Sequence, residues 1–294
     1  ARSIAEVARR SEDAVRSTTV AVQRDEVRGE TARRVPDRLA TEEPMEIRLH
    51  GPGEAPRPVA VTLRTPGHDF ELAVGFLLAE GLLRSRDDVV TVGYCMGPDN
   101  QQEYNVVTVR RTRPVGDALA PRPFTATSAC GLCGKATIDE LEQHCADLQG
   151  AGPRVDVAML ASLPAAMRAD QSLFAATGGV HAAALATPAG AIEYVREDIG
   201  RHNALDKLFG RALLDDRLPL HDGVVVVSGR LGFELVQKAA IAGITIIAAV
   251  GAPSSMAVST ARRLGVTTVA FLRDGSCSIY THDERVAMGG ATRR

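Results

Sequence analysis

The sequence predicts an α/β protein, α+β over its whole length, with a parallel βαβαβ portion near the C-terminus and a smaller β-rich part near the N-terminus. Two observations carry this. Gly223–Val227 (GVVVV), Ile244–Val250 (ITIIAAV) and Val266–Leu272 (VTTVAFL) are continuous apolar runs separated by helical segments. Such runs mark strands buried on both faces. Glu43–Leu49 (EPMEIRL) and Arg57–Arg64 (RPVAVTLR) instead alternate apolar and polar residues, the pattern of strands with one wet face.

In chain order, residues 1–20 read as a flexible tail, with room for a short helix at Ile4–Val15. Val20–Val35 alternates weakly and suggests a first strand. The two alternating strands form a hairpin across Gly51–Pro56, and Thr65-Pro66-Gly67 is a turn. His68–Glu80 shifts to helical period, and Asp87–Cys95 and Glu103–Arg110 return to strand. Residues 21–115 therefore read as a small β-rich domain with one helix. Residues 116–136 read as a linker and mobile loop, entered through the Pro- and Arg-rich Arg111–Pro123. Residues 137–294 form the larger α/β domain. Its first helix starts at Thr137-Ile138-Asp139-Glu140, a capping-box pattern. A helix over Asp156–Ala169, a hairpin of Val180–Ala186 with Ala191–Arg196, and a helix over Asp198–Leu214 follow. The three buried strands then alternate with helices over Phe233–Ala242 and Met256–Leu264. Parallel pairing with right-handed crossovers follows from that order.

Composition narrows the function. The chain has 294 residues, no Trp and only 4% aromatics, so stacking platforms for single-stranded nucleic acid are not expected. A formal charge of −2 supplies no basic field for nucleic acid or anionic membrane. Five cysteines are too few for a secreted disulfide framework and fit a reducing cytoplasm. No signal peptide is expected. The most apolar stretch, Ala239–Val250, is interrupted at Gly243 and too short to cross a bilayer.

Chemistry concentrates in two places. Ser128-Ala129-Cys130-Gly131-Leu132-Cys133-Gly134-Lys135 holds a Gly-flanked thiol pair with a cation close by and no acid. Structural zinc would need further ligands, and His144 and Cys145 are adjacent on one expected helix. A thioredoxin-type pair should follow a strand, whereas this pair follows a linker. A persulfide carrier needs an exposed, mobile, low-pKa thiol, which Lys135 and the following helix N-terminus favour. Cys133 would then release sulfur by exchange. Cys95, Cys145 and Cys277 read as small buried residues.

The second place is the set of carboxyl ends of the parallel strands, where ligands bind in open α/β sheets. Here they read Ser228-Gly229-Arg230, Gly251-Ala252-Pro253-Ser254-Ser255 and Arg273-Asp274-Gly275-Ser276. Two lead into helix N-termini, which favour phosphate. Neither a P-loop nor a full GxGxxG is present. His181 and His202 are candidate acid–base groups; a packing or capping role is the ordinary alternative.

Several stretches taken together resemble one family, the formate dehydrogenase accessory sulfurtransferases of the FdhD/NarQ type. They are Arg64–Asp69 (RTPGHD), Ser128–Gly134 (SACGLCG), Thr177–Ala184 (TGGVHAAA), Glu197–Lys207 (EDIGRHNALDK), Ser228-Gly229-Arg230, Phe233–Lys238 (FELVQK) and Ala252–Ser255 (APSS). The resemblance implies a sulfur carrier protein that accepts persulfide sulfur from a cysteine desulfurase. It implies transfer of that sulfur to the molybdenum bis(molybdopterin guanine dinucleotide) cofactor before insertion into formate dehydrogenase. Cys130 matches the family's persulfide cysteine, with Cys133 assisting. Phe271-Leu272-Arg273-Asp274-Gly275-Ser276 matches its cofactor-binding stretch, beside which Ser228, Gly229, Arg230, Ser254 and Ser255 complete the expected site. The resemblance further implies a cytidine-deaminase-like C-terminal domain and a homodimer. The deaminase zinc signature is absent, so no metal ligand is expected. A cofactor-binding chaperone without sulfur transfer is the alternative.

Overall fold

The structure is a computed structural model that describes residues 17–96, 102–116, 148–273 and 275–289. The Cys130–Cys133 pair, Cys145, the possible Ile4–Val15 helix, the Thr137 capping box and Asp274 lie outside these residues.

The first element corrects an expectation. Val20–Val35 is not one strand but parts of two, β1 (Thr19–Arg28) and β2 (Thr31–Ala40), antiparallel and paired from Thr19↔Ala40 to Arg28↔Thr31. Val20, Val27 and Leu39 are all at least half exposed. With both faces wet the alternation is weak, which hid the hairpin in the sequence.

β3 (Glu43–His50) and β4 (Arg57–Arg64) form the expected hairpin. Helix α1 (Asp69–Ala79) follows, then β5 (Val89–Met96) and β6 (Gln102–Arg111). The sheet order is β4-β3-β6-β5, with β3 and β6 parallel.

Next come the short β7 (Val155–Asp156), α2 (Val157–Ala169) and the six-residue α3 (Ser172–Thr177). Asp156 caps α2 by accepting from the Ala158 N–H. The remaining elements are β8 (His181–Ala186), β9 (Ile192–Asp198), α4 (Arg201–Leu214), β10 (Val224–Val227), α5 (Phe233–Ile241), β11 (Ile246–Ala249), α6 (Ser255–Leu264), β12 (Thr267–Arg273), β13 (Ser276–Thr281) and β14 (Val286–Ala287). Asp198 thus ends a strand rather than opening α4.

The large sheet runs β13-β12-β11-β10-β8-β9. β10, β11 and β12 are parallel as expected. β8 adds antiparallel to β10, and β13 antiparallel to β12. The second of these was not visible in the sequence, because β13 is a short edge strand whose positions are exposed or half-buried up to Thr281.

Both faces of this sheet are covered, which is why its central strands are apolar throughout. Val225, Val227, Ile247 and Ala249 face a core shared with Met45, Ile47, Phe70, Leu77, Leu205 and Leu208. Val224, Val226, Ile246 and Ala248 face a second core with Leu160, Leu163 and Met167 of α2. The N-terminal sheet and the large sheet therefore meet in one hydrophobic interior, through α1 and α4.

That meeting depends on two glycines. A Cβ added at Gly75 of α1 would fall on the Asp206 backbone carbonyl oxygen, and one added at Gly210 of α4 on that of Glu71. The helix backbones touch there, which only glycine permits.

Charged groups inside this region are paired. Arg64, fully buried, donates from Nε and Nη2 to the two carboxylate oxygens of Asp69 at 3.0 and 2.7 Å. Arg196 donates to both oxygens of the buried Glu71, and the His68 ring lies 3.5 Å from that carboxylate. Burial alone would raise the Glu71 carboxyl, but Arg196 and His68 hold it at about 2. A depressed carboxylate stabilises the fold fully above its unfolded value, about 4.3, and progressively less as pH falls toward 2. Glu71→Gln is therefore expected to cost stability at pH 7, on the order of 3 kcal/mol. It should also flatten the loss between pH 4.5 and 2. Urea unfolding across that range checks it; a parallel acid limb in both proteins would assign the loss elsewhere.

Candidate functional site

The sheet topology places the expected strand ends on one rim. The carboxyl ends of β10, β11 and β12 lie side by side because the strands are parallel. β8 and β13 run the other way, so their first residues, His181 and Ser276, join the same edge. β9 contributes its last residue, since His181 pairs with Asp198.

Hydrogen bonds fix the loops along this rim. The Gly251 N–H donates to the Gly229 carbonyl at 3.0 Å, and the Phe271 N–H to the Gly251 carbonyl at 3.3 Å. Leu231 bridges Pro253. A Cβ at Gly251 would lie 2.9 Å from the Gly229 oxygen, so a side chain there would push the β10 and β11 loops apart.

The expected binding residues fall into different classes. Arg230, Ser255, Arg273, Gly275 and Ser276 are exposed, and Phe271 is half-buried with φ 54°. Ser228 Oγ accepts from the Ala182 N–H at 2.9 Å, so it ties β10 to β8. Ser254 Oγ caps α6 by accepting from the Ala257 N–H at 3.1 Å. Ser276 Oγ donates to the Arg273 carbonyl at 2.8 Å and closes the β12–β13 turn. Leu272 is fully buried in the second core, so its side chain does not face the rim.

Beside these residues lies an open groove of about 390 Å³. Ser254, Ser255, Phe271, Arg262 and Tyr280 are among its walls. Phe271 offers a ring face, Arg262 a cation, and the start of α6 its N–H groups. That combination suits an aromatic ring carrying an anionic substituent.

A second polar group occupies the other end of the rim, around His181. Its Nδ1 would lie 3.2 Å from a Cβ at Gly229, and Arg201 Cδ would lie 4.0 Å from it. The ring therefore packs over a glycine with Arg201 alongside. Burial, then Arg201, His202 and Arg230, push the His181 pKa below its ordinary value. His181 is accordingly neutral at pH 7. His202 Nε2 lies 2.9 Å from Glu234 Oε2 at the start of α5.

Beneath His181, Asp198 is fully buried and organises the entry to α4. It accepts from the Lys207 ammonium at 2.7 Å and from the N–H groups of Thr65 and Gly200 at 3.2 and 2.9 Å. Asn203 Nδ2 completes the set at 3.0 Å and also donates to the Leu63 carbonyl. Lys207 gives its remaining protons to the Thr65 and Glu197 carbonyls. This network places the turn before α1 against the start of α4.

The sequence had singled out His181 and His202 as candidate acid–base groups, and gave Arg201, Glu234, Asp198 and Lys207 no site role beyond their place in the matched stretches. Their signal was present: Asp198–Lys207 packs six polar or charged side chains into one strand-to-helix junction. For Glu234 the matched stretch FELVQK gave no pairing, since its partner His202 lies on another helix. Cys95 and Cys277 also depart from expectation, being half-buried rather than buried. The Cys95 sulfur contacts Thr108 Oγ1 at 2.9 Å. Burial raises the Cys277 thiol, so it stays protonated at neutral pH.

Comparison with known proteins bears on these observations. Residues 40–287 match the model of the FdhD/NarQ family. A protein named sulfur carrier protein FdhD from Streptomyces avermitilis is 48% identical over 262 residues, covering 87% of this chain and 91% of the relative. One of that name from Mycobacterium tuberculosis is 49% identical over 259 residues, covering 85% and 92%. Another from Sulfurisphaera tokodaii is 42% identical over 260 residues, covering 88% and 96%. The crystal structure of a candidate formate dehydrogenase accessory protein from Desulfotalea psychrophila superposes with a TM-score of 0.72 at 24% identity. It covers 92% of this chain and 100% of the other, and so shares the fold. With match and fold in agreement across both sheets, the chain belongs to the FdhD/NarQ family.

Proposed function

We propose that this protein is a sulfur carrier that works through a persulfide on Cys130. The observation that supports this most directly is identity of 42% or more, over most of the chain, to proteins named sulfur carriers. In the proposed reaction the Cys130 thiolate attacks the outer sulfur of a cysteine desulfurase persulfide. The desulfurase leaves as its own thiolate, and Cys130 holds the sulfane sulfur. Cys133 assists its release by exchange: its thiolate attacks the Cys130 sulfur, the terminal sulfur leaves as hydrosulfide, and a dithiol reductant returns the Cys130–Cys133 disulfide to thiols. The acceptor is molybdenum bis(molybdopterin guanine dinucleotide), which is cargo bound for formate dehydrogenase. The groove at Ser254, Ser255, Phe271 and Arg262 suits a guanine nucleotide end of that cargo, with Arg273 and Ser276 at its margin.

Incubation with a cysteine desulfurase and cysteine is expected to add one sulfur to Cys130, read by mass spectrometry of the peptide. Cys130→Ala should abolish the adduct. If that variant still restored full formate dehydrogenase activity, a cofactor-binding chaperone would be the better description. Separately, Arg273→Gln is expected to weaken guanosine diphosphate binding roughly tenfold, as befits one charge-assisted contact. Unchanged affinity would move the nucleotide away from the β12 end.

A further inference from the structure

The two ends of the rim differ in one respect. At the β12 end the cations flank an apolar groove with an aromatic wall. At the β10 end positive charge gathers in the space beside the His181 ring, from Arg201, His202 and Arg230. Arg201 and Arg230 make no ion pair among the described residues. His202 is matched by Glu234, and Asp198 by Lys207, so the two carboxylates nearest this space are already engaged. Two guanidinium charges are left over. The helix behind them, α4, has no acidic residue in its first turn, and its cap Gly200 brings no side-chain acceptor.

Arg201 adds an independent sign. Its Nε is buried and has no hydrogen-bond acceptor, one of four such side-chain atoms among the described residues and the only one on a guanidinium. Leaving a buried donor unmatched costs about 1–3 kcal/mol, more for a charged group. Such an atom is normally explained by an ion, a water or a ligand. Gly229 lets the His181 ring and Arg201 lie close against the end of β10, because a Cβ there would stand 3.2 Å from His181 Nδ1 and 4.0 Å from Arg201 Cδ. Neither ring nitrogen of His181 makes a hydrogen bond among the described residues. A neutral imidazole can donate one more bond to an anion without the repulsion a third full charge would bring.

We propose that Arg201, Arg230 and His181, closed on one side by Gly229, form a phosphate-binding subsite separate from the Phe271 groove. Both guanidinium groups offer forked N–H donors, the geometry that grips phosphate oxygens in pairs. Three strand spacings separate His181 on β8 from Phe271 on β12. At ~4.8 Å each that is about 14 Å. That is wide enough to seat two anionic groups side by side along the rim. A ligand with two separated anionic portions, such as a pyrophosphate-linked dinucleotide, spans them. The identification with a dinucleotide rests on the proposed cofactor role; the phosphate chemistry does not.

Isothermal titration of the full chain with inorganic pyrophosphate, and separately with guanosine diphosphate, tests this. Arg230→Gln changes an exposed residue, and Arg201→Gln a half-buried one whose thermal midpoint is checked alongside. Each is expected to weaken pyrophosphate binding ten- to hundredfold, more than Arg273→Gln does. Three results would overturn the subsite: no pyrophosphate binding by the unaltered protein, wild-type affinity in both the Arg201 and Arg230 variants, or loss confined to Arg273→Gln. None of them touches the sulfur-carrier role, which is read on Cys130 by mass spectrometry.

Discussion

Gly210→Ala is expected to destabilise the protein by more than about 3 kcal/mol, the upper range for overpacking a core. Alanine in a helix interior normally gains about 1 kcal/mol over glycine, so intrinsic preference predicts the opposite sign. Contact decides the outcome. The added methyl would fall on the Glu71 backbone carbonyl oxygen, which cannot rotate aside as a side chain would. Relief requires α1 and α4 to separate along a seam that includes the buried Phe70, Leu77, Leu205 and Leu208. Gly75→Ala is expected to do the same from the other helix, through the Asp206 carbonyl. The two substitutions should be strongly non-additive, because once the helices have parted the second methyl meets nothing new. Equilibrium unfolding in urea gives both quantities. A Gly210→Ala protein at least as stable as the unaltered one would show that the helices do not cross in backbone contact.

Lys207→Met comes next in size, with an expected loss of about 3–5 kcal/mol. The ammonium is 1% exposed and Asp198 is fully buried, so removing the cation leaves a carboxylate without its counter-charge and away from water. The remaining donors, from Thr65, Gly200 and Asn203, keep the carboxylate hydrogen-bonded but do not neutralise it. Asp198→Asn should be nearly as costly, because it leaves the ammonium unpaired. The double variant should recover much of the loss, which a double-mutant cycle measures. Additive losses would mean that the two groups do not interact directly. A separate effect is expected on the rim: Asp198 holds Gly200, and through it the start of α4, so anion binding at Arg201 should weaken more than stability alone accounts for.

How much of this was legible in the sequence depended on whether burial was two-sided or one-sided. β10, β11 and β12 were readable with their order and direction because a run such as Val224–Val227, buried at every position, has few alternatives. β3 and β4 were readable from alternation. The β1–β2 hairpin and edge strand β13 were not, since an exposed strand needs no hydrophobic pattern. That these strand ends share one rim followed from topology alone, because parallel strands bring their carboxyl ends together whatever their side chains. Its detail did not follow. Whether Ser228 Oγ binds a ligand or ties β8 to β10 depends on a partner 46 residues away. The pairing of His202 with Glu234 and the convergence of Arg201 on Gly229 likewise join elements with no local relation in the sequence.

The Gly75–Gly210 crossing also bears on how the chain is made. Helix α1 is buried at nearly every position, so it has no wet face to present while alone. Its matching surface on α4 is synthesised roughly 130 residues later, which at ~5–20 residues per second is on the order of ten seconds. For that interval an apolar helix waits on the ribosome without its partner. The N-terminal sheet therefore cannot complete its interior as an early, independent unit, and a nascent chain halted before Arg201 is expected to be a substrate for chaperones and proteases.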